Sequence, residues 1–184
     1  MLRGKRIYLR LMEEKDIPYK VKWINDPVVR KTLNFSYPIS EVATKQWLSK
    51  VALDSSRKDF IVCLKENDNP IGYGGFLNID PKNSKAETYL GIGEISYWGQ
   101  GYGREAMQIL LNYAFTELGL NKVYSYSWSE NKGMINLNKS LGFKIEGKLE
   151  QDVFSHGEYR DRVVMGLLKK DYFAKQDGGH VIDP

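Results

Sequence analysis

Apolar and polar positions alternate over residues 6–12, with Ile7, Leu9 and Leu11 on one side and Tyr8 and Arg10 on the other, which predicts a strand. The period then lengthens. Ile17, Val21, Trp23 and Ile24 predict a helix over 14–25 that tolerates Pro18 in its first turn. Asp26-Pro27 interrupts it, and a short helix is expected to about Leu33. Ser40 reads as the cap of a helix carrying Val42, Trp47, Leu48 and Val51. Strands are expected at 60–64 and 71–79, joined by Asn67-Asp68-Asn69-Pro70, with Gly72, Gly74 and Gly75 marking a bulge or a close backbone approach. After a polar loop at 80–85 comes a strand at 86–93, and then a long helix that ends at Gly119. A strand at 123–128 and a helix at 130–140 follow. Two last strands, 143–154 and 158–168, are joined by Ser155-His156-Gly157. The order predicts a single α+β domain over 1–174 around a mixed, mostly antiparallel sheet of about seven strands, with 175–184 a flexible tail.

The strand at 86–93 enters its helix through Tyr97-Trp98-Gly99-Gln100-Gly101-Tyr102-Gly103-Arg104-Glu105-Ala106. Three glycines let the chain turn sharply and leave several N–H groups free. Ala106, Ile109, Leu110, Tyr113, Ala114 and Leu118 then mark one buried face of the helix. Unpaired donors and the positive end of a helix dipole coincide there, which makes an anion site suited to a phosphate-bearing ligand. A nucleotide P-loop is excluded because no Lys-Ser/Thr follows the glycines. A dinucleotide fingerprint fits poorly: Gly99, Gly101 and Gly103 are spaced G-x-G-x-G, and no second parallel strand presents Glu117 or Glu130 as its acid. A tight turn without a ligand is the competing reading.

Bulk properties narrow the class. The 184 residues suit one domain with a core, and 42% hydrophobic with 12% aromatic content is that of a globular protein. No apolar run reaches the length needed to span a bilayer, and no export signal stands at the start, so a cytoplasmic protein is expected. The single cysteine, Cys63, lies within Phe60-Ile61-Val62-Cys63-Leu64 and reads as a buried strand residue. A net charge of +4 is scattered rather than striped, which argues against nucleic acid. Two histidines in turn or tail contexts do not make a metal site.

On this order of elements the chain resembles the GCN5-related N-acetyltransferases (GNAT), and within them the RimJ/RimL-like branch. The residues that carry the likeness are Ile7-Tyr8-Leu9-Arg10-Leu11, Trp23-Ile24-Asn25-Asp26-Pro27, the glycine turn, Glu130-Asn131-Lys132, Leu141-Gly142-Phe143, Gly157-Glu158-Tyr159-Arg160-Asp161 and Val164-Met165-Gly166-Leu167-Leu168. They span about residues 3–172. The resemblance implies acetyl-CoA as co-substrate, its pyrophosphate bound by Gln100, Gly101, Tyr102, Gly103 and Arg104. It further implies that Leu90, Gly91 and Ile92 pair their backbone with the pantetheine arm, that Asn131 touches the cofactor, and that no metal is needed. Two positions depart from the pattern. Trp98 stands where many members have Arg or Gln, and Asn138 replaces the tyrosine that many use as general acid. Asparagine gives up no proton at neutral pH. Tyr124 and Tyr126 are the substitutes to consider, although a thiolate of pKa about 8.5 needs little help to leave.

An amine must be neutral to attack a thioester. A lysine-like amine of pKa about 10.4 is neutral in roughly one molecule in 2,500 at pH 7, whereas an α-amine near 7.7–8.0 loses only about tenfold. A general base contributes about 10²–10⁴. Glu87 is the candidate, at the offset before Gly101 where histone-modifying members keep their glutamate; a carboxylate paired at the sheet edge is the alternative, and Glu94 is the second choice. Trp23, Asn34, Phe35, Tyr37 and Tyr159 are candidates to line the acceptor pocket, though aromatic residues there could equally be core. A basic chain attracts a polycation poorly. The expected acceptor is therefore a protein N-terminal amine or another small amine, with amino sugars, nucleotide sugars, antibiotics or polyamines as alternatives. A monomer or homodimer is expected, and a non-catalytic acyl-CoA-binding module is the reading from another class.

Overall fold

The computed structural model describes residues 1–33, 37–155 and 157–177. In chain order the elements are β1 (Leu2–Arg3), β2 (Ile7–Leu11), α1 (Ile17–Asn25), α2 (Glu41–Val51), β3 (Lys58–Leu64), β4 (Pro70–Asp80), β5 (Lys85–Ile92), α3 (Tyr102–Thr116), β6 (Lys122–Trp128), α4 (Lys132–Ser140), β7 (Lys144–Ser155), β8 (Glu158–Leu168) and α5 (Lys169–Asp177). Short 3-10 turns stand at Glu14–Asp16, Val29–Thr32 and Ile95–Tyr97. The strands form one mixed sheet in the order β1-β2-β3-β4-β5-β6-β8-β7, flanked by helices, which is the expected α+β class. Among the described residues there are eight strands rather than about seven, because the two-residue β1 pairs with β2 through Leu2↔Leu9 and Arg3↔Tyr8. Its brevity gives it no periodicity to read. A second element without periodicity is α5: residues 175–177, expected in a tail, are its last turn, and 178–184 lie outside the described residues.

The chain divides into two compact units, residues 1–79 with 88–110 and residues 80–87 with the chain from Leu111 onward. In the first, β2, β3 and β4 pair in sequence as antiparallel neighbours. Ser40 caps α2 as expected, its side chain accepting from the Ala43 N–H at 3.1 Å. Pro18 sits in the first turn of α1, where a missing N–H costs nothing. The core on this side gathers Tyr8, Met12, Ile17, Trp23, Val29, Ile61, Cys63 and Tyr73, each large side chain contributing about 1.5–3 kcal/mol through burial. Cys63 is a buried free thiol, as its strand context predicts. The glycines of β4 answer a close approach: a Cβ on Gly74 would stand 2.9 Å from the Tyr89 carbonyl oxygen, and one on Gly72 would meet that of Gly91.

In the second unit the start of β5 pairs in parallel with β6 (Lys85↔Lys122, Ala86↔Val123, Glu87↔Tyr124), and β6, β8 and β7 continue as antiparallel neighbours. The chain leaves α3 through Gly119, whose φ of +64° is the left-handed conformation that favours glycine at a helix end. Phe115 packs on Tyr172 of α5 with ring centroids 5.2 Å apart, so the unread helix closes this core.

Candidate active site

In the first unit β5 continues through Leu90, Gly91 and Ile92, beyond the last residue of its register with β6, Glu87. Its end is held by two bonds, from the Gly93 and Glu94 N–H groups to the Ile71 carbonyl at 2.9 and 3.1 Å. The Trp98 indole N–H donates to the Ile92 carbonyl at 2.7 Å, so the residue that departs from the family pattern ties turn to strand. Gly99 and Gly101 then take φ values of +74° and +83°, which carry the chain into α3 with no side chain over the turn. A Cβ on Gly99 would meet nothing within 4 Å, and one on Gly101 only an Arg6 nitrogen at 3.4 Å. The first backbone bond into the helix runs from the Glu105 N–H to the Gly101 carbonyl. Among the described residues the N–H groups of Gly101, Tyr102 and Gly103 have no acceptor of good geometry, as the first turn of a helix requires.

Arg6, which sequence reasoning did not single out, borders this turn. Its guanidinium donates to Glu105 Oε2 at 2.9 Å and to the Gln100 carbonyl at 3.0 Å, and lies 4.1 Å from the Tyr102 ring centroid. The Arg6 N–H also donates to Glu105 Oε1 at 2.7 Å. Partial burial pushes the Glu105 carboxyl upward, yet the Arg6 amide and guanidinium outweigh it and hold the group below the ordinary carboxylate range. The one acid in the first turn is therefore engaged with β2, and the backbone donors remain open. The Gln100 side chain turns back to the Ser96 carbonyl at 2.6 Å.

The α1 face of β5 is polar and aromatic. Trp23 is 1% exposed, lies against Gly93, and donates its indole N–H to Glu94 Oε1 at 2.8 Å. It is a buried wall rather than an open contact surface. Lys22 donates to the same oxygen at 2.7 Å. Burial works upward on Glu94, but Lys22 and Trp23 hold it below the usual range, which makes it a weak base. Lys20 is buried with its Nζ 3.6 Å from the Trp47 ring centroid, and desolvation pulls its pKa down to about 8. Tyr37 is exposed, with the Arg30 guanidinium 3.8 Å from its ring centroid. Asn34 and Phe35 lie outside the described residues. A surface depression of about 290 Å³ near Met12, Leu48, Leu53 and Asp59 contains none of the expected site residues.

The remaining candidates belong to the second unit. Glu87 is half-buried on β5 in register with Tyr124. The Tyr124 and Tyr126 rings stand edge to face at 5.9 Å. Asn131 caps α4, its Oδ1 accepting from the Met134 N–H at 3.0 Å. Asn138 is fully buried, donates to Ser125 Oγ at 2.9 Å, and leaves its Oδ1 without a partner. Tyr159 is exposed beside Phe154.

Against known proteins, the family profile described as an acetyltransferase (GNAT) domain matches residues 6–144. The chain belongs to the GNAT acetyltransferase family. It is 34% identical over 171 residues to p20, an uncharacterised N-acetyltransferase of Bacillus licheniformis, covering 91% of this chain and 95% of that one. It is 28% identical over 170 residues to the spermidine N(1)-acetyltransferase of Escherichia coli K12, covering 92% and 89%. The structure of spermidine N-acetyltransferase from Vibrio cholerae in complex with CoA and spermine superposes with a TM-score of 0.86 at 26% identity, over 91% of this chain and 98% of that one. As a GNAT member the chain is an N-acetyltransferase with acetyl-CoA as co-substrate, and not merely an acyl-CoA-binding module. The turn fits that donor: open N–H groups at a helix start, no side chain over Gly99, and a cation alongside suit a pyrophosphate. No helix among the described residues is long and apolar enough to cross a membrane.

Proposed function

We propose that the enzyme transfers acetyl to a primary amine by direct attack on the thioester, with Gln100, Gly101, Tyr102, Gly103 and Arg104 cradling the pyrophosphate and Leu90, Gly91 and Ile92 holding the pantetheine. The observation that carries this is the open first turn of α3, the next α-helix after a strand that outruns its parallel register. Acetyl-CoA supplies the activated acyl group; the chain orients it and relieves the amine of its proton. Glu87 is the base in this reading, since it lies on the face of β5 shared by Tyr89 and Gly91 at the two-residue period of a strand. Asn138 is fixed in the core by Ser125, so the leaving thiolate takes its proton from solvent. In this reading residues 1–174 act as one catalytic domain, and the family match over residues 6–144 is what supports it. A cytoplasmic site of action goes with it, where acetyl-CoA is made and spent.

The acceptor is a protein N-terminal α-amine, as in the RimJ/RimL-like branch, or a small amine of low charge. What supports this is that four carboxylates near α1 and α2 are paired: Glu14 with Lys45, Asp16 with Arg10, Asp59 with Arg57 and Glu94 with Lys22. Neutralised in this way, they offer a polycation little. A polyamine acceptor is the second reading, favoured by the likeness to the two spermidine acetyltransferases. The test is CoA release, read with a thiol reagent, across peptides with free N-termini, amino sugars and spermidine. α-Amine peptides are expected to lead in kcat/KM. Spermidine ahead by tenfold would transfer the assignment to the second reading, and no release with any amine would end both. In the same assay Glu87→Gln is expected to lower kcat by about 10²–10⁴ at pH 7; an unchanged pH–rate profile would remove Glu87 as base.

A further inference from the structure

Two tyrosines stand side by side on the α1 face of the first unit, Tyr73 of β4 and Tyr89 of β5, with ring centroids 6.3 Å apart. The Tyr89 hydroxyl donates to Asp59. The Tyr73 hydroxyl is buried and bonds to nothing. A buried donor without a partner carries a cost in stability, so its persistence calls for a reason. Its position supplies one. Trp23 stacks on the Tyr73 ring with centroids 6.1 Å apart, which fixes the ring's plane. The far end of the phenol reaches Gly91: a Cβ there would stand 3.3 Å from Tyr73 Cζ and 3.4 Å from its hydroxyl. Neighbouring strands lie about 4.8 Å apart. A phenol rooted on β4 that ends over Gly91 has therefore crossed that gap and brought its O–H over the last residues of β5. Gly91 has no side chain to stop it.

We propose that the Tyr73 hydroxyl is a hydrogen-bond donor to the carbonyl oxygen of the bound thioester, supplementing the β5 main chain where negative charge develops. This rests on the acetyl-transfer reading and on Leu90, Gly91 and Ile92 as the strand that holds the thioester. In the step it serves, the amine nitrogen bonds to the acyl carbon and the C–S bond breaks. Its electron pair leaves on sulfur, and the amine's proton goes to the base. The phenol gives up no proton in this. Burial raises its pKa further above the usual tyrosine value, and a group so hard to ionise assists as a neutral donor. The Lys20 ammonium, 5.5 Å from the ring centroid, draws electron density from the ring and strengthens the O–H as a donor.

The test is Tyr73→Phe, which keeps the ring and its stacking. With acetyl-CoA carrying a ¹³C carbonyl, the infrared C=O stretch of the wild-type binary complex is expected at lower frequency than in the variant, where the hydrogen bond is gone. This readout needs no acceptor amine. In turnover, kcat is expected to fall about 10- to 100-fold with KM for acetyl-CoA within about threefold. The melting temperature should hold or rise, because the deleted hydroxyl had no partner. Identical stretches in the two proteins would overturn the proposal, as would a kcat within twofold, or a lower melting temperature with the stretch unmoved. Failure of the wild type to bind acetyl-CoA would overturn the acetyl-transfer reading itself, which is a different result.

Discussion

The chain passes from strand to helix at two comparable places and treats the two helix starts in opposite ways. Ahead of α4, Asn131 folds its side chain onto the Met134 N–H, its carbonyl takes the Ile135 N–H, and its own N–H goes to the Trp128 carbonyl. Ahead of α3, glycines at φ +74° and +83° replace a capping side chain, and the first-turn acid Glu105 turns away to Arg6 and Ile7. In a helix start of the first kind the chain itself answers most of the first-turn donors, here the Lys132 and Met134 N–H groups. One of the second kind keeps donors that an anion can use, at the end of the helix where the dipole favours negative charge. On the proposed reading the same local motif is structural in one place and binds the coenzyme in the other, and the difference lies in whether a side chain caps the first turn.

The contrast breaks most sharply at Gly101. Gly101→Val puts a β-branched residue at a φ that costs an ordinary side chain roughly 1–2 kcal/mol, and moves the donors around it. Charge-assisted bonds contribute about 1.5–3 kcal/mol each, so losing two raises the dissociation constant for CoA at least about 100-fold. Calorimetry measures it. An affinity within threefold of wild type would mean that this turn does not hold the diphosphate.

Next in size is the staple that keeps the first turn's acid off its own helix. Glu105→Gln removes the charge that Arg6 answers. After discounting for the half-exposed guanidinium, the loss is about 2 kcal/mol, or a fall of about 4–8 °C in melting temperature. The sign with pH follows from the depressed carboxyl. Its contribution is present above the ordinary carboxylate range and is lost as pH falls through the folded value. The gap in melting temperature between wild type and variant is therefore expected to be widest near pH 7 and to close under acid conditions. A gap that stays constant or widens on acidification would show that the charge is not what stabilises the contact.

What could be read from sequence divides along similar lines. The glycine turn was legible because few residues tolerate positive φ, and Gly99 and Gly101, which take it, stand just before an amphipathic stretch. Ser40 was legible as a cap because its chemistry is local. The partnership of Arg6 with Glu105 was not, since 99 residues separate them and neither residue type is unusual where it stands. Helix α5 stayed hidden because its residues are polar with no sustained apolar period, and its placement depends on Tyr172 reaching Phe115. Tyr73 lies within the expected strand at 71–79, and nothing in the sequence singles it out. Only its neighbours Gly91 and Trp23 reveal that the hydroxyl stands over another strand without a partner. Asn138 was legible as a residue unable to donate a proton, whereas its engagement with Ser125 required the packing of α4 on β6.

Asn131 gives the smallest expected effect and sharpens the contrast from the other side. The resemblance to the family gives it a cofactor contact, while the structure shows its Oδ1 on the Met134 N–H. One oxygen committed to a cap leaves the Nδ2 group as the only part of the side chain available to a ligand. Asn131→Ala is therefore expected to cost about 1 kcal/mol of stability, the usual value of an N-cap, and to lower the melting temperature by about 2–4 °C. The KM for acetyl-CoA should move by less than about threefold if the cap is its main work. Thermal denaturation and steady-state kinetics on the same preparation separate the two. Unchanged melting with a tenfold rise in KM would assign Asn131 to the cofactor, and the rule that a capped helix start is structural would then fail in this protein.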